Sequence, residues 1–227
     1  TDEGVPYAVF DFGGGTSDFD YGLLRWANPE EADLGYERVF EHLGSSGDNF
    51  LGGENLLEHL VYESFKQNLP MLREKRIQFT QPMDAQPFAG NEAFLSKTLA
   101  AQTNAVQLAA KLRSFLEGDE AVLISPIKLD LMDSNGNKQT CEMALDDKAL
   151  DTLLADRIRR GVEAFLEELA GLRRSLPTSF PTDAPIQVLL SGNGCRSRHI
   201  TALFDTSDSK WAELLSSIFH EDQIHEI

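Results

Sequence analysis

Residues 10–22 read FDFGGGTSDFDYG, and no other stretch constrains the fold of this chain as tightly. The run before the glycines, VPYAVFDF (5–12), has the length and apolar content of a buried strand. After them, over residues 16–25, Phe19, Tyr21 and Leu23 alternate with Asp18, Asp20 and Gly22, the period of a second strand. Strands joined by so short a connection lie side by side and antiparallel. Residues 26–35 contain Pro29 and Gly35 and predict a turn, and YERVFEHLG (36–44) predicts a third strand, so the region is expected to form an antiparallel meander. The first connection carries its own chemistry. Gly13, Gly14 and Gly15 lack a Cβ and let backbone N–H groups approach and point at an anion. Asp11 just before them can hold a water on a magnesium ion, and Thr16 just after can donate to a terminal phosphate or orient a water. A glycine-rich turn with no ligand is the other reading, although three glycines exceed what a two-residue hairpin needs.

Two further glycine loops follow. SSGDNFLGGE (45–54) predicts a loop that enters a helix, with Glu54 placed to favour the N-terminal dipole. In that helix Leu56, Leu57, Leu60, Val61 and Phe65 recur at helical spacing until Pro70 is expected to stop it. Residues 70–91, with Pro70, Pro82, Pro87 and Gly90, read as irregular. A second helix is predicted from about Glu92 to Leu116, with Gly118 as its C-terminal stop. Residues 121–131 and 138–145 read as strands around an Asn-Gly hairpin signal. Asp146 then caps a long helix whose stripe runs from Ala149 to Leu169, with Gly171 and Pro177 expected to close it. After a proline-rich link (177–185) comes the third loop, IQVLLSGNGCRSRHI: a short strand, a glycine turn with Gly192 and Gly194, and a helix from about Ser197. That order is a familiar phosphate- or nucleotide-binding arrangement. Residues 208–227 predict an amphipathic helix and a polar tail. The whole reads as a mixed α/β fold with a smaller domain inserted in a larger one.

Charge and composition narrow the partners. The net charge of −17 argues against nucleic acid or an anionic membrane. No apolar run is long enough to span a bilayer. Cys141 and Cys195 are too few for a disulfide framework, which predicts a reducing, cytoplasmic setting. His42, His59, His199, His220 and His225 show no metal-ligand spacing. Cys195 has no histidine identifiable as a partner, so a nucleophilic cysteine is not the favoured reading.

Taken together, the three loops resemble a known family. VFDFGGGTSDFDYG resembles the second phosphate motif of the actin-like ATPase superfamily, and specifically V-F-D-L-G-G-G-T-F-D of DnaK-type, seventy-kilodalton heat-shock chaperones. GDNFLGGENLLEHLVYESFK is similar to that family's G-D-T-x-L-G-G-E-D-F-D…F-K segment. NAVQLAAKLRSFLEG resembles its helix containing E-x-A-K-x-x-L-S, and VLLSGNGCRSRHI its adenosine motif, V-G-G-x-[ST]-R-x-P-x-[IV].

The resemblance implies an α/β lobe of the actin-like (ribonuclease H-like) type: the second lobe of a two-lobed ATPase domain. Residues 1–51 and 155–227 would form its inner subdomain, and 52–154 an inserted outer α+β subdomain. It further implies ATP or ADP with Mg2+ as cofactors. Asp11 would hold magnesium through water and act with Thr16 in catalysis. Gly13, Gly14, Gly15 and Thr16 would cradle the phosphates, and Gly52, Gly53 and Glu54 would border the cleft. Lys111 would reach the ribose, with Gly192, Gly194 and Arg196 at the adenine. Its partners would be the nucleotide, the first lobe of the parent ATPase, and co-chaperones or client proteins. The chain departs from the pattern at Leu108, Leu112, Asn193, Ser197 and Arg198. Phosphoryl transfer needs both walls of such a cleft. The expectation is therefore an ATP-binding fragment of a divergent chaperone ATPase, inactive on its own. The alternative is a degenerate fold that serves as a protein-interaction module without nucleotide.

Overall fold

The computed structural model describes residues 4–118, 123–176, 185–205, 207 and 209–219. It is a mixed α/β protein. The chain divides into two compact units, Thr1–Gly52 with Ile158–Ile227, and Gly53–Arg157.

The first unit is built on a four-stranded sheet of order β3-β2-β1-β6. Strands β1 (Val5–Phe12), β2 (Ser17–Trp26) and β3 (Arg38–Asp48) form the antiparallel meander, and β6 (Gln187–Ser191) lies parallel to β1. The third strand starts later than expected and runs four residues further, because Ser45–Asp48 continue the ladder opposite Ser17–Asp20 instead of opening the second glycine loop. The turn at 26–35 holds a short helix, α1 (Pro29–Asp33), which the sequence reading missed. Asn28 and Glu31 close a capping box there, satisfying two otherwise orphan N–H groups.

One face of the sheet packs on the long helix α5 (Asp147–Ser175), whose residues from Ile158 onward belong to this unit. Phe165 is the hub, with ring centroids 5.4 Å from Phe10, 5.4 Å from Phe19 and 5.5 Å from Tyr21. All four are buried, each worth about 1.5–3 kcal/mol of transfer free energy. The Tyr21 hydroxyl donates to the Phe165 carbonyl at 2.8 Å, so its buried oxygen has a partner. Gly171 lies inside α5 and does not end it, and the expected stop at Pro177 falls outside the described residues, as does the link that follows. Two short helices, α6 (Arg198–Leu203) and α7 (Ser209–Ile218), complete the unit. The polar tail, with His220 and His225, is outside the described residues. Strand β6 differs from its apolar sequence: Leu189 and Leu190 are 51% and 40% exposed.

The second unit packs α2 (Gly53–Gln67) beside α4 (Leu99–Glu117), with the hairpin of β4 (Ile127–Met132) and β5 (Lys138–Met143) against α4. Pro70 does not end the helical region. It sits in the first turn of α3 (Leu69–Glu74), where a missing N–H costs nothing. Thr98 caps α4, which therefore starts later than expected, after a separate 3-10 turn at Glu92–Phe94. Gly118 ends it in the left-handed conformation, φ 83°. Two buried asparagines bolt the unit together. Asn104 donates to the carbonyls of Gln78 and Met132 and accepts from the Met132 N–H, and Asn68 does the same for Ser64 and Ala144. Among the described residues, no helix is long and apolar enough to cross a membrane.

Candidate functional site

The site lies at the C-terminal end of β1, where all three glycine loops of the sequence meet within the first unit. Gly13 donates its N–H to the Thr16 carbonyl at 2.9 Å, closing the hairpin around Gly14 and Gly15. Neither of those two has a left-handed φ, and a Cβ on either would meet nothing within 4 Å. Both are exposed. At Gly13 a Cβ would stand 3.0 Å from the Thr16 carbonyl oxygen.

The other two loops need their glycines for packing. A Cβ on Gly52 would lie 2.2 Å from the Gly15 carbonyl carbon and 2.6 Å from the Thr16 nitrogen, so the second loop rests directly on the first. The buried Ser17 hydroxyl reinforces that contact by donating to the Leu51 carbonyl at 2.5 Å. Gly192, at φ 84°, would bring a Cβ 2.3 Å from the Phe12 carbonyl oxygen and 2.6 Å from Asp11 Oδ1. Gly194 would drive one to 2.1 Å from the Phe12 ring. The third loop is thus seated on the end of β1, with Asp11 beside it.

The register adds a residue that the sequence reading passed over. Asp11 stands directly opposite Asp18 in the β1–β2 ladder. Directly opposed residues share a face, and like charges there are destabilising. Asp18 is exposed and accepts the Thr16 hydroxyl at 3.2 Å. The result is a pair of carboxylates beside an open, glycine-lined turn, with a threonine oriented by one of them. The signal was present in the sequence as two aspartates flanking a hairpin, but only the register makes them partners. Among the described residues no group of three His, Cys, Asp or Glu side chains forms a protein metal cage.

Cys195 sits in the third loop. Its thiol donates to the Ser191 carbonyl at 2.8 Å. Burial pushes its pKa up, and the Asp11 carboxylate adds to the rise, which opposes the thiolate a nucleophile would need. Arg196 is exposed in the same loop.

The remaining candidates belong to the second unit. Gly53 opens α2, and Glu54 in its first turn makes a two-pronged ion pair with Arg113 of α4, at 2.8 and 3.0 Å. The Arg113 hydrogen bonds hold the Glu54 carboxyl below its ordinary pKa. Lys111 is exposed on α4 and is not the cation that meets Glu54. The departures at Leu108 and Leu112 have a plain cause: both are fully buried in the helix interface.

This is a mixed α/β protein with three glycine loops gathered at one strand end. No protein-family model matches the chain.

Proposed function

We propose that this chain is the nucleotide-binding second lobe of a DnaK-like, actin-type ATPase. It would bind ATP or ADP with Mg2+ at the β1 end and need a first lobe for hydrolysis. One observation carries the reading. Gly14 and Gly15 are glycines that neither packing nor backbone conformation requires, while Gly52, Gly192 and Gly194 are each dictated by a close neighbour. Glycine without an internal reason, on an exposed turn, leaves room for a ligand to touch the backbone. The Asp11–Asp18 pair supports the same reading, since a cation relieves the repulsion of two opposed carboxylates.

The residues present fit a phosphate chain with its magnesium. The N–H groups of the 13–16 turn bind and orient phosphate oxygens. Asp11 and Asp18 hold the ion through water, consistent with the absence of a protein cage among the described residues. Thr16 presents its hydroxyl at the same turn, positioned by Asp18. Magnesium, when bound, neutralises phosphate charge during transfer. Gly192 and Gly194 shape the strand end for the nucleoside, with Arg196 exposed beside them. Co-chaperones or client proteins would act on the parent protein.

Calorimetric titration with Mg-ADP and Mg-ATP tests this. The expected result is weak, saturable binding and no ATP turnover by the chain alone. Gly14→Val should abolish binding without lowering stability, and Asp18→Asn should remove its magnesium dependence. Absence of heat at millimolar nucleotide, or unchanged binding by Gly14→Val, refutes the proposal and leaves the interaction-scaffold reading.

A further inference from the structure

The second unit carries a groove that the nucleotide reading does not use. Helices α2 and α4 lie side by side with a cleft of about 410 Å3 between them. Leu57 and Val61 of α2 and Ala105, Val106 and Ala109 of α4 line it, and the segment containing Met83 closes one side. The lips are apolar and in water: Val106 is 68% exposed and Met83 91%. Leu99, 79% exposed, continues the stripe, because Leu99, Gln102, Val106 and Ala109 recur at helical spacing along α4. Isolated exposed apolar residues need no explanation, but a lined cleft with apolar lips marks an interaction site.

The charges at the rim specify the occupant. Glu54 is engaged by Arg113, and Asp84 by Arg157, His59 and Asn55. Glu58, on the same wall, makes no ion pair among the described residues. Loss of water on its groove side, with the Asp84 and Glu54 carboxylates nearby, pushes its pKa upward. A carboxylate among carboxylates beside an apolar trough calls for a cation on an apolar stem. The chain's net charge of −17 favours the approach of such a partner.

We propose that the α2–α4 groove docks a basic amphipathic helix of a partner protein. Its apolar side chains fill the trough between Leu57, Val61 and Ala109, and a lysine or arginine one turn away pairs with Glu58. From Glu54 to Val61 the trough is about 10 Å long, which accommodates about two turns of helix. The interaction belongs to the second unit alone and requires no nucleotide.

The test is a nucleotide-free titration of the isotope-labelled chain, followed by amide chemical shifts. The probe is a synthetic helix-forming peptide of leucines and lysines spaced four apart. A control peptide carries glutamate at each lysine. Saturable shifts should appear at Leu57, Val61, Val106 and Ala109 with the lysine peptide and not with the glutamate one. Glu58→Gln should weaken binding about tenfold. Val106→Asp, at an exposed position that leaves the fold intact, should abolish it. Shifts centred elsewhere, equal binding of both peptides, no binding, or parent-like binding by either variant each overturns the proposal.

Discussion

Gly161 lies in the middle of α5, where glycine is about 1 kcal/mol worse than alanine for helix formation. Propensity alone predicts that Gly161→Ala stabilises the protein. The structure predicts the opposite. A Cβ at this position would stand 1.9 Å from Leu51 Cδ2 and 3.2 Å from its Cγ. Leu51 has little room to retreat: it is 3% exposed, and its carbonyl is held by the buried Ser17 hydroxyl. Overpacking of this kind costs about 1–3 kcal/mol, so the net effect should be a loss of about 1 kcal/mol after the helix gain. Removing the obstacle should reverse the sign. Leu51→Ala alone should cost about 2–4 kcal/mol, and adding Gly161→Ala to it should recover about 1 kcal/mol. The coupling in this double-mutant cycle is therefore about 2 kcal/mol. Urea unfolding followed by tryptophan fluorescence is the assay. Both tryptophans, Trp26 and Trp211, lie in the first unit, and the signal reports that unit directly. If Gly161→Ala stabilises the parent, or acts equally in both backgrounds, the packing argument fails.

Acid should weaken the second unit before the first. Burial raises the Asp84 pKa, but hydrogen bonds from Arg157, His59 and Asn55 outweigh it and hold the carboxyl at about 2. Burial likewise lowers the pKa of His59, against the opposing pull of Asp84, so the neutral ring donates from Nε2. Both folded-state pKa values are depressed. Their stability is complete above the ordinary histidine range and is lost as pH falls from about 6.5 toward 2, with Asp84 contributing about 2 kcal/mol. Far-UV dichroism should show an early acid transition that tryptophan fluorescence misses, and Asp84→Asn should flatten it. Cys195 should react slowly with iodoacetamide at pH 7.5, because burial and Asp11 both raise its thiol pKa. Alkylation as fast as that of a free thiol would contradict its hydrogen bond to Ser191.

Much of this fold is legible where periodicity and turn chemistry agree. The alternation of Phe19, Tyr21 and Leu23 with polar residues is the buried face of β2, and the Asn135-Gly136 turn joins β4 to β5 with Gly136 at φ 82°. Pro70 was misread because proline both ends helices and begins them, and only the neighbouring turn decides between the two. The exposure of Leu189 and Leu190 was hidden because a strand's apolar content does not say what covers it. At the site, the glycines are visible as a pattern, but their reasons are not. Gly14 and Gly52 look alike in sequence, yet one faces open space and the other a neighbouring backbone. Asp18 was invisible without the register, and Arg113 without the rotation of α4 that turns it toward Glu54. A motif names residue types at a spacing; helix rotation and strand register decide which of them meet.

The parallel pairing of β1 with β6 also has a temporal side. Tyr7 pairs with Gln187, and the whole of Gly53–Arg157 is threaded between those two strands. During synthesis the first strand leaves the ribosome long before its parallel partner exists. The meander can form early from neighbouring segments, while one edge of β1 must wait. Contacts so distant in sequence close slowly, and an unpaired central strand is exposed to wrong partners meanwhile. Early folding of the intervening unit would shorten the effective loop and hasten closure. The order in which the two units fold is thus tied to how safely the glycine-bearing strand reaches its place.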